Sequence, residues 1–354
     1  MKKGLALPSD GFDQIVAAVG GNGKALLHLA ELARRQNYHE LSLDIASQAR
    51  ASANGDRALF REAGDFVAQT VPGWHWQMLG DIPRNKAFED ALNRAVTTET
   101  RVLDVGSGSG LLAMLAARAG AKQVVSCEAN PAIASVAREI VKLNGYEEQV
   151  TILSMHSSNL DAYVDLGGKV DLVVSEIIGK DVVDEHVLPS MRDVARRLLK
   201  PGGQMIPKSG DVRVALAWWE GLSGRSLQTV CGFDMTPFNR LLPSKLSLGR
   251  DEEGLEIRGE AASLFSFDFA QTLVTAEQAE IELVAHGGTI NGVVQWIGLQ
   301  MDEVAYFENR PDQKQGSSWG VQFFPLSKPI DAEPGEKIRI AGSHCGNSLR
   351  VWDA

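Results

Sequence analysis

Glu176 and Glu185 stand with eight residues between them in the stretch SEIIGKDVVDE, behind an apolar run that reads as a strand. Two carboxylates at the rim of a fold repel one another unless a cation sits between them. A cation gripped from both sides is oriented as well as bound, because each contact is a charge-assisted hydrogen bond. A second group of residues suits a nucleoside. Asp104-Val105-Gly106-Ser107-Gly108-Ser109-Gly110 follows the strand pattern RVLDV and precedes the helical pattern GLLAMLAARAG. Glycines at a strand-to-helix turn let a ligand approach the backbone, and the helix N-terminus favours anionic groups. Glu128 ends the next strand, where its carboxylate can accept from both hydroxyls of a ribose. The loop alone does not choose between a dinucleotide and S-adenosylmethionine. A dinucleotide fingerprint wants its third glycine where this chain has Leu111, whereas Asp104 can accept from a methionine ammonium group.

The elements that position these residues are legible in the hydrophobic pattern. From Arg101, strands alternate with helices: RVLDV, GLLAMLAARAG, QVVSCEA, NPAIASVAREIVKLNG, VTILSM and VDLVVSEII, then a helix from Glu185 to Leu199 closed by Lys200-Pro201-Gly202-Gly203. That order predicts βαβ units and a parallel, Rossmann-like sheet. Beyond Met205 the segments DVRVALAWW, AEIELVAH, NGVVQWIGLQM, WGVQFFPL and EKIRIAG alternate in polarity between turn residues, which predicts an antiparallel β-sandwich or barrel. Residues 11–64 read as helices. Leu26, Leu29, Ala30 and Ala33 recur at helical spacing, and Ala46, Ala49 and Ala53 suit close helix pairing. This piece resembles one tetratricopeptide-type hairpin, or else serves as a helical cap on the following domain. The expected class is α/β plus β: a helical region over 1–70, the cofactor-binding core over 71–207, and a β domain over 208–354.

With 354 residues, two or three domains are expected, and 44% apolar with 23% charged residues is ordinary globular composition. The net charge of −10 repels nucleic-acid backbone and favours cationic partners. Cys127, Cys231 and Cys345 match no metal or disulfide spacing. The opening MKKGLALPSDGF has too short an apolar run for a signal peptide, and no stretch reads as a membrane span, so a cytoplasmic protein is expected.

Over residues 65–350 the chain resembles the protein arginine N-methyltransferases. The resemblance rests on the glutamate pair, VLDVGSGSGLLA, CEANPAIASVAREIVKLNG and CGFDMTP (Cys231 to Pro237), with wording closest to the monomethylating branch. It implies S-adenosylmethionine as cofactor and an arginine-containing protein or peptide as acceptor, its guanidinium gripped by Glu176 and Glu185. It also implies a homodimer, built through an arm near residues 218–250. Within WHWQMLGDIPRN, His75 and Met78 would line the methyl site, Asp81 would sit near the clamp, and Arg84 would reach the cofactor carboxylate. Gly106, Gly108 and Asp104 would face the methionine portion, while Met155, His156, Ser157 and Ser158 would form the adenine loop.

The chain departs from the family pattern in two places. The helix expected over the cofactor keeps Phe66 but has Asp65 and Gln69 in place of tyrosines. The usual Thr-His-Trp loop reads Gln315-Gly316-Ser317-Ser318-Trp319, so Trp319 survives and no histidine can pair with Asp81. Three readings follow: an arginine methyltransferase of proteins or peptides, a methyltransferase of a small guanidino or amine acceptor, or a cofactor-binding protein without turnover.

Overall fold

The computed structural model describes residues 9–69, 71, 73–225, 227–249, 252–271, 276–312 and 317–354. It begins with four helices, α1 (Ser9–Val19), α2 (Gly23–Arg35), α3 (His39–Ala51) and α4 (Arg57–Ala68). The side chains of Asn22 and Asp56 cap α2 and α4 by accepting from backbone amides of their first turns, which satisfies donors the helices leave unpaired. Ala30, Ala33, Ala46, Ala49 and Ala63 are fully buried, so the helices approach closely around Phe12, Leu26, Ile45 and Phe66. A Cβ on Gly23 would lie 2.4 Å from the Leu59 side chain, so α2 and α4 meet where only glycine fits. α2 and α3 form the expected helical pair, and α3 leans on the helix Pro131–Leu143 of the next unit.

Two further helices, α5 (Trp74–Leu79) and α6 (Ile82–Ala95), lead into β1 (Arg101–Val105), α7 (Leu111–Arg118), β2 (Gln123–Glu128), α8 (Pro131–Leu143), β3 (Val150–Ser154), β4 (Val170–Ser175), α9 (Val187–Arg197) and β5 (Leu199–Ile206). The strands form one parallel sheet in the order β3-β2-β1-β4-β5. Helices cover both faces, which is why its strands are near-continuous in Val, Leu and Ile. The order reverses between β1 and β4. At such a switch point the loops beyond the strand ends diverge and leave a crevice for a ligand.

Two boundaries differ from the sequence expectation. α9 starts at Val187, because Glu185 and His186 hold left-handed backbone angles, φ 56° and 58°, that no helix can contain. The Lys200–Gly203 segment is an outward bulge inside β5. Its register jumps from Val170 opposite Leu199 to Leu172 opposite Gln204.

The C-terminal half is antiparallel. β6 (Ser209–Trp219) pairs with Gly288–Gln300 at the centre of a seven-stranded sheet, and Glu277–Val284, Lys337–His344 and Leu349–Asp353 form a second sheet. Of the two alternatives, the strands therefore take separate sheets. Their inner faces join the core under β1 to β5 in one apolar cluster. An arm leaves β6 as a turn over Glu220–Arg225, a short ribbon pairing Thr229–Val230 with Phe233–Asp234, and a turn over Thr236–Leu241.

Candidate active site

The crevice at the switch point is a cavity of about 330 Å³ walled by Gly106 and Gly108 after β1, Glu128 after β2, Met155 and Ser157 after β3, and Glu176 after β4. Gly106 has φ 87° and a Cβ there would lie 2.5 Å from Ile177, so both backbone and packing require glycine. A Cβ on Gly108 would meet no atom within 4 Å, so this residue borders open space. Glu128 Oε2 accepts from Gly108 N at 3.1 Å and Oε1 accepts from Asn130 N at 2.8 Å. Each oxygen keeps a free lone pair, which suits a ribose diol. Ile133 and Met155 supply apolar walls and α5 brings Trp74, His75 and Met78 over the opening. The residues fit S-adenosylmethionine: a nucleoside acceptor, an apolar wall, and a glycine turn open to the ligand.

Three expected cofactor contacts lie elsewhere. Asp104 is fully buried and absent from the cavity wall; its Oδ2 accepts from Ser126, and burial pushes its carboxyl up to about 7. It organises the glycine loop from beneath, since Ser126 also bonds Ser107. Arg84 is buried as well. Its guanidinium lies 3.1 Å from Glu176 and donates to Met78 O at 2.7 Å and Asn85 Oδ1 at 2.8 Å, because a buried cation needs an anion and hydrogen-bond acceptors. The Ser158 hydroxyl turns to His156 Nδ1 at 2.8 Å, leaving Ser157 on the wall.

On the far side of the glutamates lies a second cavity of about 430 Å³, lined by Gln77, Lys180, Asp184, Ser247, Ser318, Trp319 and Gln322. Trp74, Met78, Glu176 and Glu185 belong to both cavities. The paired carboxylates are thus the partition between a cofactor-sized space and an acceptor-sized one. Burial pushes the Glu176 carboxyl up to about 8 against the pull of Arg84, with Glu185 and Asp81 adding to the rise. Partial shielding on the cavity side raises Glu185 also, although the residue as a whole stays exposed. Glu185 sits on a loop with left-handed backbone angles at Val182, Glu185 and His186. Positive φ at Val182, Glu185 and His186 costs on the order of 1–3 kcal/mol per residue and aims the loop back at the cavity.

The position of the missing histidine is filled by hydroxyls. Ser317 Oγ, Ser318 N and Ser318 Oγ donate to Asp81 Oδ2 at 2.6, 2.7 and 3.0 Å. Asp81 Oδ1 caps α6 by accepting from Arg84 N at 3.0 Å. Burial pushes the Asp81 carboxyl up, but these four donors outweigh it and hold the group below its ordinary value. Gln315 and Gly316 lie outside the described residues. Trp319 Nε1 donates to Ile178 O at 2.9 Å, so the β domain props the loop between the glutamates, and Arg84 stacks 5.7 Å from its ring.

A model of the ribosomal protein L11 methyltransferase family matches residues 88–212, the segment that builds β1 to β5. An arginine N(omega)-methyltransferase of Streptomyces achromogenes subsp. streptozoticus is 36% identical over 289 residues, covering 81% of this chain and 80% of that protein. The chain belongs to the arginine N-methyltransferase family. Protein arginine N-methyltransferase 7 of Oryza sativa subsp. japonica is 28% identical over 271 residues, covering 69% of this chain but 38% of its own length. A chain from the Trypanosoma brucei PRMT1 enzyme-prozyme heterotetrameric complex with AdoHcy matches with a TM-score of 0.68 and 26% identity, over 76% of this chain and 87% of that one. This family member is an S-adenosylmethionine-dependent arginine methyltransferase with a Rossmann-like core and an antiparallel β domain.

Sequence reasoning missed Asn130, which follows Glu128 at the start of α8 and lines the cofactor cavity. It also missed Lys180 and Asp184, inside the very stretch that carries the glutamates. Their charge was visible; their direction was not. Ser247 and Gln322 come from distant strands and carry no local signal.

Proposed function

We propose that Glu176 and Glu185 grip the guanidinium of an arginine acceptor and present one nitrogen through their partition to the cofactor cavity. The observation that carries this reading is the double membership of both carboxylates, each bordering the two cavities. Glu128 and the glycine turn would hold the nucleoside, with His75 and Met78 closing over it. When bound, S-adenosylmethionine supplies a methyl group on a positively charged sulfur.

The residues of the chain do the orienting. A guanidinium is a weak nucleophile because its lone-pair density is delocalised. Carboxylates on two sides fix its plane and concentrate density on the nitrogen that faces the partition. The methylated nitrogen then carries one proton too many, and a carboxylate whose affinity for protons is raised by burial can take it. Trp319, buried beside the glutamates, gives the proton transfer an apolar wall. A compact ammonium spans one carboxylate but not both. With methyl-labelled S-adenosylmethionine, arginine acceptors should take label and matched lysine acceptors none; equal labelling of lysine would remove the clamp.

We infer in addition that the arm pairs the chain with a second copy. Phe233, Phe238 and Leu241 are 62–71% exposed on it, and Trp76 on α5 and Ile82 on α6 are exposed to the same degree, 62% and 71%. Exposed apolar area on this scale marks an association surface.

A further inference from the structure

Lys180 is the one cation among the described residues lining the acceptor cavity. A site built to receive a guanidinium gains nothing from a like charge, which weakens binding unless an anion arrives with the acceptor. Lys180 has no carboxylate partner among the described residues. Its Nζ reaches only Ser247 Oγ, at the outer limit of 3.5 Å. The neighbouring Asp181 is spoken for by Lys245. Ser247 directs its own hydroxyl proton to Gln322 Oε1 at 3.1 Å, which leaves the Gln322 amide N–H groups without a protein acceptor among the described residues. The backbone carbonyl of Lys180 is pinned by Gln295 Nε2 at 2.9 Å, so the residue is positioned even though its ammonium is unpaired.

We propose, resting on the arginine reading above, that Lys180 and Gln322 bind the α-carboxylate of the acceptor, and that the acceptor is therefore the free amino acid arginine. An arginine inside a polypeptide offers neutral amides there, and leaves the ammonium of Lys180 facing a guanidinium with nothing to offset it. A free amino acid brings a carboxylate at one end and a guanidinium at the other, matching a cavity with a cation at one place and paired acids at another. Asp184 adds an acceptor for the α-ammonium group: its Oδ1 is buried without a hydrogen-bond partner on the same wall.

The test titrates L-arginine and agmatine, which lacks the carboxylate, into the protein saturated with S-adenosylhomocysteine, in wild type and in Lys180→Met. Methionine keeps the stem of the side chain and the backbone contact to Gln295. Wild type should bind arginine more tightly than agmatine. Lys180→Met should lose tenfold or more in affinity for arginine while agmatine binds as well as before or better. Equal loss for both ligands, no change for arginine, or turnover of an end-blocked arginine peptide faster than of arginine would overturn the proposal. Absence of methylation on any guanidino acceptor, with cofactor bound, would remove the clamp reading and this inference with it. Faster turnover of the peptide would remove this inference alone.

Discussion

The two clamp carboxylates do unequal work before an acceptor arrives. Glu176 lies against Arg84 in a buried position, whereas Glu185 stands exposed on a strained loop. Because the folded-state value of Glu176 is raised to about 8 from its ordinary value, the folded state holds a proton that the unfolded chain releases. The stability this contributes is complete below the unfolded value and is lost as pH rises through about 8. Denaturant unfolding of the ligand-free protein should show stability falling between pH 6 and 9, and Glu176→Gln should flatten that slope. A wild-type profile that rises over this range would contradict the assignment. Acceptor affinity should move the other way, improving with pH as the carboxylate ionises. At Gly108 a substituent would project into open cavity, so Gly108→Leu should fold at a cost of about 1–2 kcal/mol yet abolish binding of S-adenosylhomocysteine in calorimetry. The positions of Glu128, Gly106, Gly108 and the glutamate pair on the cavity walls were legible in the sequence because they follow from strand ends and spacing. Arg84 and Asp104 were not, because burial redirected each to a protein partner that sequence order does not reveal, and the exposed Ser158 turned to the local acceptor His156.

Among the elements, the joint between α6 and the β domain carries the largest departure from the family pattern. Asp81 gathers three donors from Ser317 and Ser318 across the interface while capping its own helix. Hydrogen bonds to a charged group contribute about 1.5–3 kcal/mol each when buried. The double variant Ser317→Ala, Ser318→Ala removes both hydroxyl donors, keeps the backbone donor and should lower unfolding free energy by about 3 kcal/mol or more. Since the folded value of Asp81 is depressed, its stabilisation is present above the unfolded value and fades as pH falls through the folded one. Unchanged denaturation midpoints in the variant would show the serines to be incidental. The sequence foretold the loss of a His–Asp pair but not its replacement, since two serines acquire this role only when a distant loop closes on α6. Strand and helix order were readable from period alone. The start of α9 and the bulge in β5 were not, because left-handed backbone at Glu185 and His186 and the detour through Lys200–Gly203 are set by tertiary closure.

For the whole molecule, the apolar arm predicts self-association. Sedimentation at micromolar concentration should give a dimer, and removal of residues 222–245 a monomer with weaker cofactor binding. A monomer from the intact chain would sink the arm's role. The alternation of helix-bearing and strand-only halves made the architecture legible in advance. The cooperation between the halves was not, because Ser247, and Trp319 with Gln322 some seventy residues on, reach the acceptor cavity from the β domain far along the chain from the glutamates. The central claim is that paired carboxylates orient a guanidinium for methyl transfer, and steady-state methylation of arginine by wild type, Glu176→Gln, Glu185→Gln and the double variant tests it most directly. Each single change removes a charged hydrogen bond of about 1.5–3 kcal/mol, so each rate should fall by one to two decades. The double variant should lose less than the two combined, because both act on one group. Wild-type rates in both single variants, with product still methylated at a guanidino nitrogen, would contradict the account.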